Sequence, residues 1–141
     1  MSRPIYVESS ALVRLLLEGD AALAARLAAA PSRAASALTL LETARAIARK
    51  RREGELSVSD ARVAERRLAR FERRLDVLEI TADVLRIARQ EFPIEPVRSL
   101  DAIHLASIRI IDEEEPEGLD VASCDDRVRD NAVELGFCVL P

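Results

Sequence analysis

Short apolar runs set between longer amphipathic stretches are what most constrains this chain. The runs IYV (5–7), VLEI (77–80), LDVASC (119–124) and FCVL (137–140) each span only a few residues. Between them, apolar residues recur at helical spacing, behind Ser, Thr or Asp and ahead of Gly or Pro. Parallel strands need a crossover, and a helix is the usual one. The alternation therefore predicts an α/β fold, a short parallel sheet flanked by helices on both faces.

Local signals place the elements. Residues 4–7 read as a strand, followed by a helix capped by Ser9 or Ser10 and closed at Gly19. Asp20 caps a helix over 21–30 that Pro31 stops, and residues 33–37 read as a short strand. A long helix runs from about Thr39 to Glu53, and another opens at Ser57 or Ser59 and ends near Arg74. A strand over 77–80 precedes a helix from Thr81 to Glu91 and the turn-rich PIEP. Ser99 caps LDAIHLASIRII, and DEEEPEG is a charged loop. A strand over 119–124, a helix over 126–135 ended by Gly136, and a strand over 137–140 complete the order.

With 141 residues, the chain is expected to form one domain over 1–141 with a proper core. No apolar run is long enough to span a bilayer, and no charged leader precedes an apolar stretch, so a cytoplasmic protein is expected. In that compartment Cys124 and Cys138 read as reduced, buried thiols. The net charge of −4 is unevenly spread. Residues 45–74 hold eleven basic and five acidic side chains, net +6, whereas residues 76–130 hold fifteen acidic and six basic, net −9. An acidic chain of this kind can still attract a polyanion at one end and supply carboxylates at the other.

In open α/β sheets, sites form outside the carboxyl ends of the strands. Four acids fall there or in the first turn of a following helix: Glu8, Glu42, Asp101 and Asp125. Gathered together they repel, and a divalent cation relieves that repulsion. Carboxylates plus water suit Mg²⁺ or Mn²⁺, and phosphodiester hydrolysis is a reaction such a centre serves.

These residues carry a resemblance. IYVESSALVRLLLEG, SALTLLETARAIAR, SLDAIHLASIRI and VASCDDRVRDNAVELGF resemble, in order and over nearly the whole chain, the four blocks of PIN-domain ribonucleases. Size and the third block look most like VapC-type toxins of VapBC toxin–antitoxin modules. The resemblance implies a single PIN-like domain and an endoribonuclease that hydrolyses RNA with Mg²⁺ or Mn²⁺. It further implies a homodimer, no membrane attachment, and a cognate VapB-type antitoxin whose C-terminal segment covers the site. It makes Glu8, Glu42, Asp101 and Asp125 metal and catalytic candidates, with Ser10 and Ser123 supplying hydrogen bonds that orient them. The family pattern has aspartate where this chain has Glu8. A catalytically weakened PIN-like protein that binds RNA or a partner is therefore the alternative.

Plainer roles stand beside each of these. Thr39 and Glu42 have the spacing of a capping box. Asp101 suits a helix N-terminus on dipole grounds alone. Asp125 can be a turn residue, with Asp126 as N-cap or as its rival for the site. His104, the sole histidine, reads as a packing or interface residue ahead of a general base. Arg49, Lys50, Arg51 and Arg52 form either a solvated helix face or a phosphate-binding patch, and Arg98 lies close enough to the proposed centre to hold a phosphate. A phospho-acceptor receiver domain would want a lysine at a late strand end, but Lys50, the only lysine, falls in a long helix.

Overall fold

The computed structural model describes residues 2–141. Strands β1 (Ile5–Val7), β2 (Arg33–Ser36), β3 (Asp76–Leu78), β4 (Asp120–Ala122) and β5 (Val139–Leu140) form one sheet in the order β3-β2-β1-β4-β5. Every pairing is parallel, with Tyr6 of β1 opposite Ala34 on one side and Val121 on the other. The chain builds outward from β1 through β2 to β3 and returns to the other side with β4. The order thus reverses between β1 and β4, the place where open α/β sheets leave a crevice.

Helix α1 (Ser9–Val13) passes into a π-helical turn, Arg14–Glu18, which Gly19 ends with a left-handed backbone of φ 65°. The remaining helices are α2 (Ala21–Ala29), α3 (Ala37–Arg52), α4 (Val58–Glu72), α5 (Ala82–Ala88), α6 (Ser99–Glu113) and α7 (Asp126–Glu134). Strand alternation divides the core in two. Ile5 and Val7 face Leu12, Leu23, Leu27, Ile47 and Leu68 on one side of the sheet. Tyr6 faces the other, where Leu105, Ile108, Val121 and Val128 gather. The first layer comes from α1 to α4 and the second mainly from α6 and α7, so helices cover both faces as the alternation predicts.

Several local expectations need correction. Glu8 itself caps α1 in place of Ser9 or Ser10; its backbone is extended and its carboxylate accepts from the Ser10 amide at 3.0 Å. Ser36 caps α3 through the Leu38 amide at 3.1 Å, so the helix begins ahead of Thr39. No capping box forms: the Thr39 hydroxyl donates to the Val7 carbonyl at 2.9 Å, and Glu42 lies in the second turn. Ser99 is the first residue of α6, and Arg98 holds the cap position without a side-chain cap bond. Asp125, in place of Asp126, caps α7 by accepting from the Val128 amide at 3.2 Å.

The strands are also shorter than expected. β3 stops at Leu78 because its partner β2 ends at Ser36, opposite it, where α3 begins. Helix α5 stops at Ala88, well before Glu91, and a loop follows in which the Glu95 carboxylate accepts from the Phe92 and Val97 amides, each at 2.8 Å. The two cysteines are free thiols, but neither is buried: Cys124 is half-exposed and Cys138 exposed. Among the described residues, no helix is long and apolar enough to cross a membrane.

Candidate metal centre

Glu8 leaves β1 at the reversal point, with its backbone amide tied to the Ala122 carbonyl of β4 at 2.9 Å. Its side chain is buried, and one oxygen, Oε2, takes every protein hydrogen bond made to it. The donors are the Ser10 amide, the Ser10 hydroxyl and the Ser123 hydroxyl, the last at 2.9 Å. The same serines also accept: Ser10 from the Cys124 amide at 2.8 Å, Ser123 from the Asp125 amide at 3.1 Å. Glu8 is therefore pinned to the turn after β4, and that turn carries Asp125.

Glu42 approaches from α3. Its Oε1 accepts from the Ser9 hydroxyl at 2.6 Å and lies 2.6 Å from His104 Nε2. Partial burial pushes the Glu42 carboxyl up, but the hydrogen bonds from His104 and Ser9, with the charges of His104 and Arg98, outweigh it and hold the group below its ordinary value. Behind His104 stands Tyr6, whose hydroxyl oxygen lies 2.7 Å from Nδ1 and accepts from the Ser36 amide at 3.3 Å. Tyr6 is fully buried, and burial raises the phenol strongly.

Asp101 and Asp125 are held differently. Arg98 sets Nε 3.1 Å from Asp101 and Nη2 3.5 Å from Asp125. The arginine is largely exposed, whereas the Asp101 side chain is almost wholly buried. The bond and charge of Asp101 raise the Arg98 guanidinium further.

One carboxylate oxygen from each of Glu8 and Glu42 and a ring nitrogen of His104 all lie within 4.8 Å of one another. Glu8 Oε1 and Glu42 Oε2 carry no protein hydrogen bond, so each carboxylate keeps an oxygen for a cation. That oxygen-rich donor set fits a hard divalent ion. Arg98, in contact with Asp101 and Asp125, fills the charge role for the second pair. Arg49, Lys50, Arg51 and Arg52 occupy the last turn of α3, two to three turns or roughly 10–15 Å along the helix from Glu42, and are not brought to the centre. Two arginines of α4 and one just beyond it go elsewhere too: Arg67, Arg70 and Arg74 line an apolar groove with Leu16, Leu27 and Phe71. From sequence, Tyr6 and Ser36 carry no role, Ser9 reads only as a helix cap, and His104 reads as a packing or interface residue. The available signals were His104 one turn after Asp101, and Tyr6 facing opposite to Ile5 and Val7.

Carboxylates gathered over the reversal point of a parallel five-stranded sheet define an α/β protein with an acidic centre. The chain belongs to the PIN-domain family, whose model matches residues 5–134. No curated protein sequence matches it significantly. Solved structures do. A toxin–antitoxin complex from Klebsiella pneumoniae aligns at 17% identity over 97% of this chain and 96% of that one, with a TM-score of 0.64. VapC20 of Mycobacterium tuberculosis, described as a toxin cleaving the sarcin–ricin loop, aligns at 24% identity over 94% and 95%, with a TM-score of 0.62. VapBC2 of Rickettsia felis, bound to a fragment of its promoter DNA, aligns at 10% identity over 97% of each chain, with a TM-score of 0.61.

Proposed function

We propose that the protein is an endoribonuclease toxin of a type II toxin–antitoxin module. In this reading Glu8, Glu42, Asp101 and Asp125 hold Mg²⁺ or Mn²⁺ for hydrolysis of RNA phosphodiester bonds. The observation that carries it is the convergence of Glu8 and Glu42, each with one oxygen immobilised by buried donors and one free, at the crevice of a PIN fold. A bound divalent cation supplies charge to the phosphate and lowers the pKa of an attacking water. The chain's own residues do the rest. Ser10 and Ser123 fix Glu8, Ser9 and His104 fix Glu42, and Arg98 swings from the aspartates onto an incoming phosphate, for which its planar fork is suited.

The proposal includes an antitoxin partner, and the toxin–antitoxin complexes among the structural neighbours support it. The arginines around the apolar groove suit an acidic amphipathic segment of such a partner. Exposed Val77, Ile80 and Leu85, on and beyond the edge strand β3, suit self-association into a homodimer.

The test is RNA cleavage by the purified chain with Mg²⁺, with Mn²⁺ and with EDTA, beside Asp101→Asn. Cleavage is expected only with metal and only with Asp101 intact; cleavage that survives either removal sinks the mechanism. The second reading, a weakened or inactive PIN-like protein that binds RNA or a partner, draws on Arg98 occupying the Asp101–Asp125 pair. RNA binding without metal-dependent cleavage is the outcome that selects it.

A further inference from the structure

We infer that His104 is a positioning residue for Glu42, fixed in its hydrogen-donating form by Tyr6. The inference rests on the reading of Glu42 as a cation ligand. His104 is 1% exposed and neither touches the phosphate nor moves a proton in the reaction proposed above. Nδ1 meets Tyr6, Nε2 meets Glu42 and, at 3.2 Å, the Ser9 hydroxyl, and these partners settle where its proton lies. The Ser36 amide donates to the Tyr6 oxygen, which leaves the phenol hydrogen free to point at Nδ1, 2.7 Å away. Burial keeps that hydrogen on the phenol. Nδ1 therefore accepts, and the ring carries its own hydrogen on Nε2.

Nε2 then donates to Glu42 Oε1 at 2.6 Å, beside the Ser9 hydroxyl on the same oxygen. An imidazolium would present the same Nε2 hydrogen, so the contact does not depend on the ring's charge. A ring nitrogen bearing hydrogen has no lone pair for a cation. His104 thus lies outside the coordinating set, although it reaches within 4.8 Å of the ligand atoms of Glu8 and Glu42. Its effect is to immobilise Oε1 and leave Oε2 as the oxygen Glu42 offers. The line from Ser36 through Tyr6 and His104 to Glu42 passes from the β2–α3 junction through β1 and α6 and back to α3, so three elements fix one carboxylate. Partners of this kind, behind a ligating carboxylate, set metal affinity by 10- to 100-fold.

Because His104 is the only histidine, the imidazole ¹⁵N spectrum of the untagged protein reports this residue alone. The expected spectrum shows hydrogen on Nε2 and none on Nδ1. Tyr6→Phe should mix the two tautomers, and Glu42→Gln should shift the Nε2 hydrogen. Calorimetric Mn²⁺ binding is the second readout. His104→Leu should weaken binding about tenfold or more, while His104→Gln, which keeps an N–H to offer, should retain most of it. Hydrogen on Nδ1 with none on Nε2 in the wild type, or undiminished Mn²⁺ binding by a folded His104→Leu, overturns the positioning role. Should His104→Leu fail to fold, Tyr6→Phe decides: unchanged tautomer and unchanged Mn²⁺ affinity overturn it. A wild type with the expected tautomer but no Mn²⁺ binding overturns the cation reading of Glu42, and a wrong tautomer overturns the positioning role alone.

Discussion

The two halves of the acidic centre are restrained by opposite means. Glu8 and Glu42 are held by buried, mostly neutral donors: Ser10 and Ser123 on one, Ser9 and His104 on the other. Asp101 and Asp125 share one exposed guanidinium, that of Arg98, and the Asp125 carboxylate is tied besides to the Val128 amide that it caps. A buried hydroxyl keeps a carboxylate in place without cancelling its charge. An exposed arginine cancels charge but leaves readily, since surface ion pairs contribute little. The first half keeps its charge and one free oxygen on each carboxylate, whereas the second shares its charge with Arg98.

That contrast can be broken by substitution. Ser123→Ala removes a donor from Glu8 and an acceptor from the Asp125 amide, and should cost about 1–3 kcal/mol of stability. Urea denaturation measures this, and a loss near zero would mean that the buried half is not held as described. Glu8→Asp comes next. The serines are placed for the longer side chain, so shortening it should lower Mn²⁺ affinity about tenfold. Calorimetry showing a gain instead would mean that the centre is built for aspartate and compromised by Glu8.

Arg98→Ala should act in the other direction. Losing an exposed pair changes stability by less than about 1 kcal/mol, and freeing the two aspartates should raise Mn²⁺ affinity roughly two- to fivefold. The same variant should bind RNA more weakly and with a shallower salt dependence. The smallest effect concerns pH. Folding holds the Glu42 carboxyl below its ordinary value despite burial. The metal-free protein therefore gains stability from Glu42 above the ordinary glutamate pKa of about 4.3, and loses that gain as pH falls through the lowered folded value. Glu42→Gln should flatten this acid limb in urea midpoints measured against pH; an unchanged limb would place the effect elsewhere.

The sequence showed where the acids stand, because strand ends and helix starts are local features. Glu8 and Asp125 follow apolar runs directly, and parallel architecture brings such positions to one edge. It did not show what holds each acid. Arg98, Ser123, His104 and Tyr6 act on residues far along the chain, and nothing in local periodicity encodes those pairings. The start of α3 is instructive. Ser36 and Thr39 are both competent caps, and Thr39 with Glu42 even has the spacing of a capping box. The tertiary structure chose Ser36, because the Thr39 hydroxyl is taken by the Val7 carbonyl of β1. With that choice Glu42 moved into the second turn, where its carboxylate meets α6.

Ser123 is 115 positions from Glu8, and His104 is 62 from Glu42. Synthesis delivers the N-terminal part first, and contacts across long loops form only when both ends exist. A growing chain on the ribosome therefore carries Glu8 with Ser10 and Glu42 with Ser9 before Ser123 and His104 exist to complete their restraint. The centre is complete only once the segment carrying Ser123 and Asp125 has been made, so its two halves mature in sequence order.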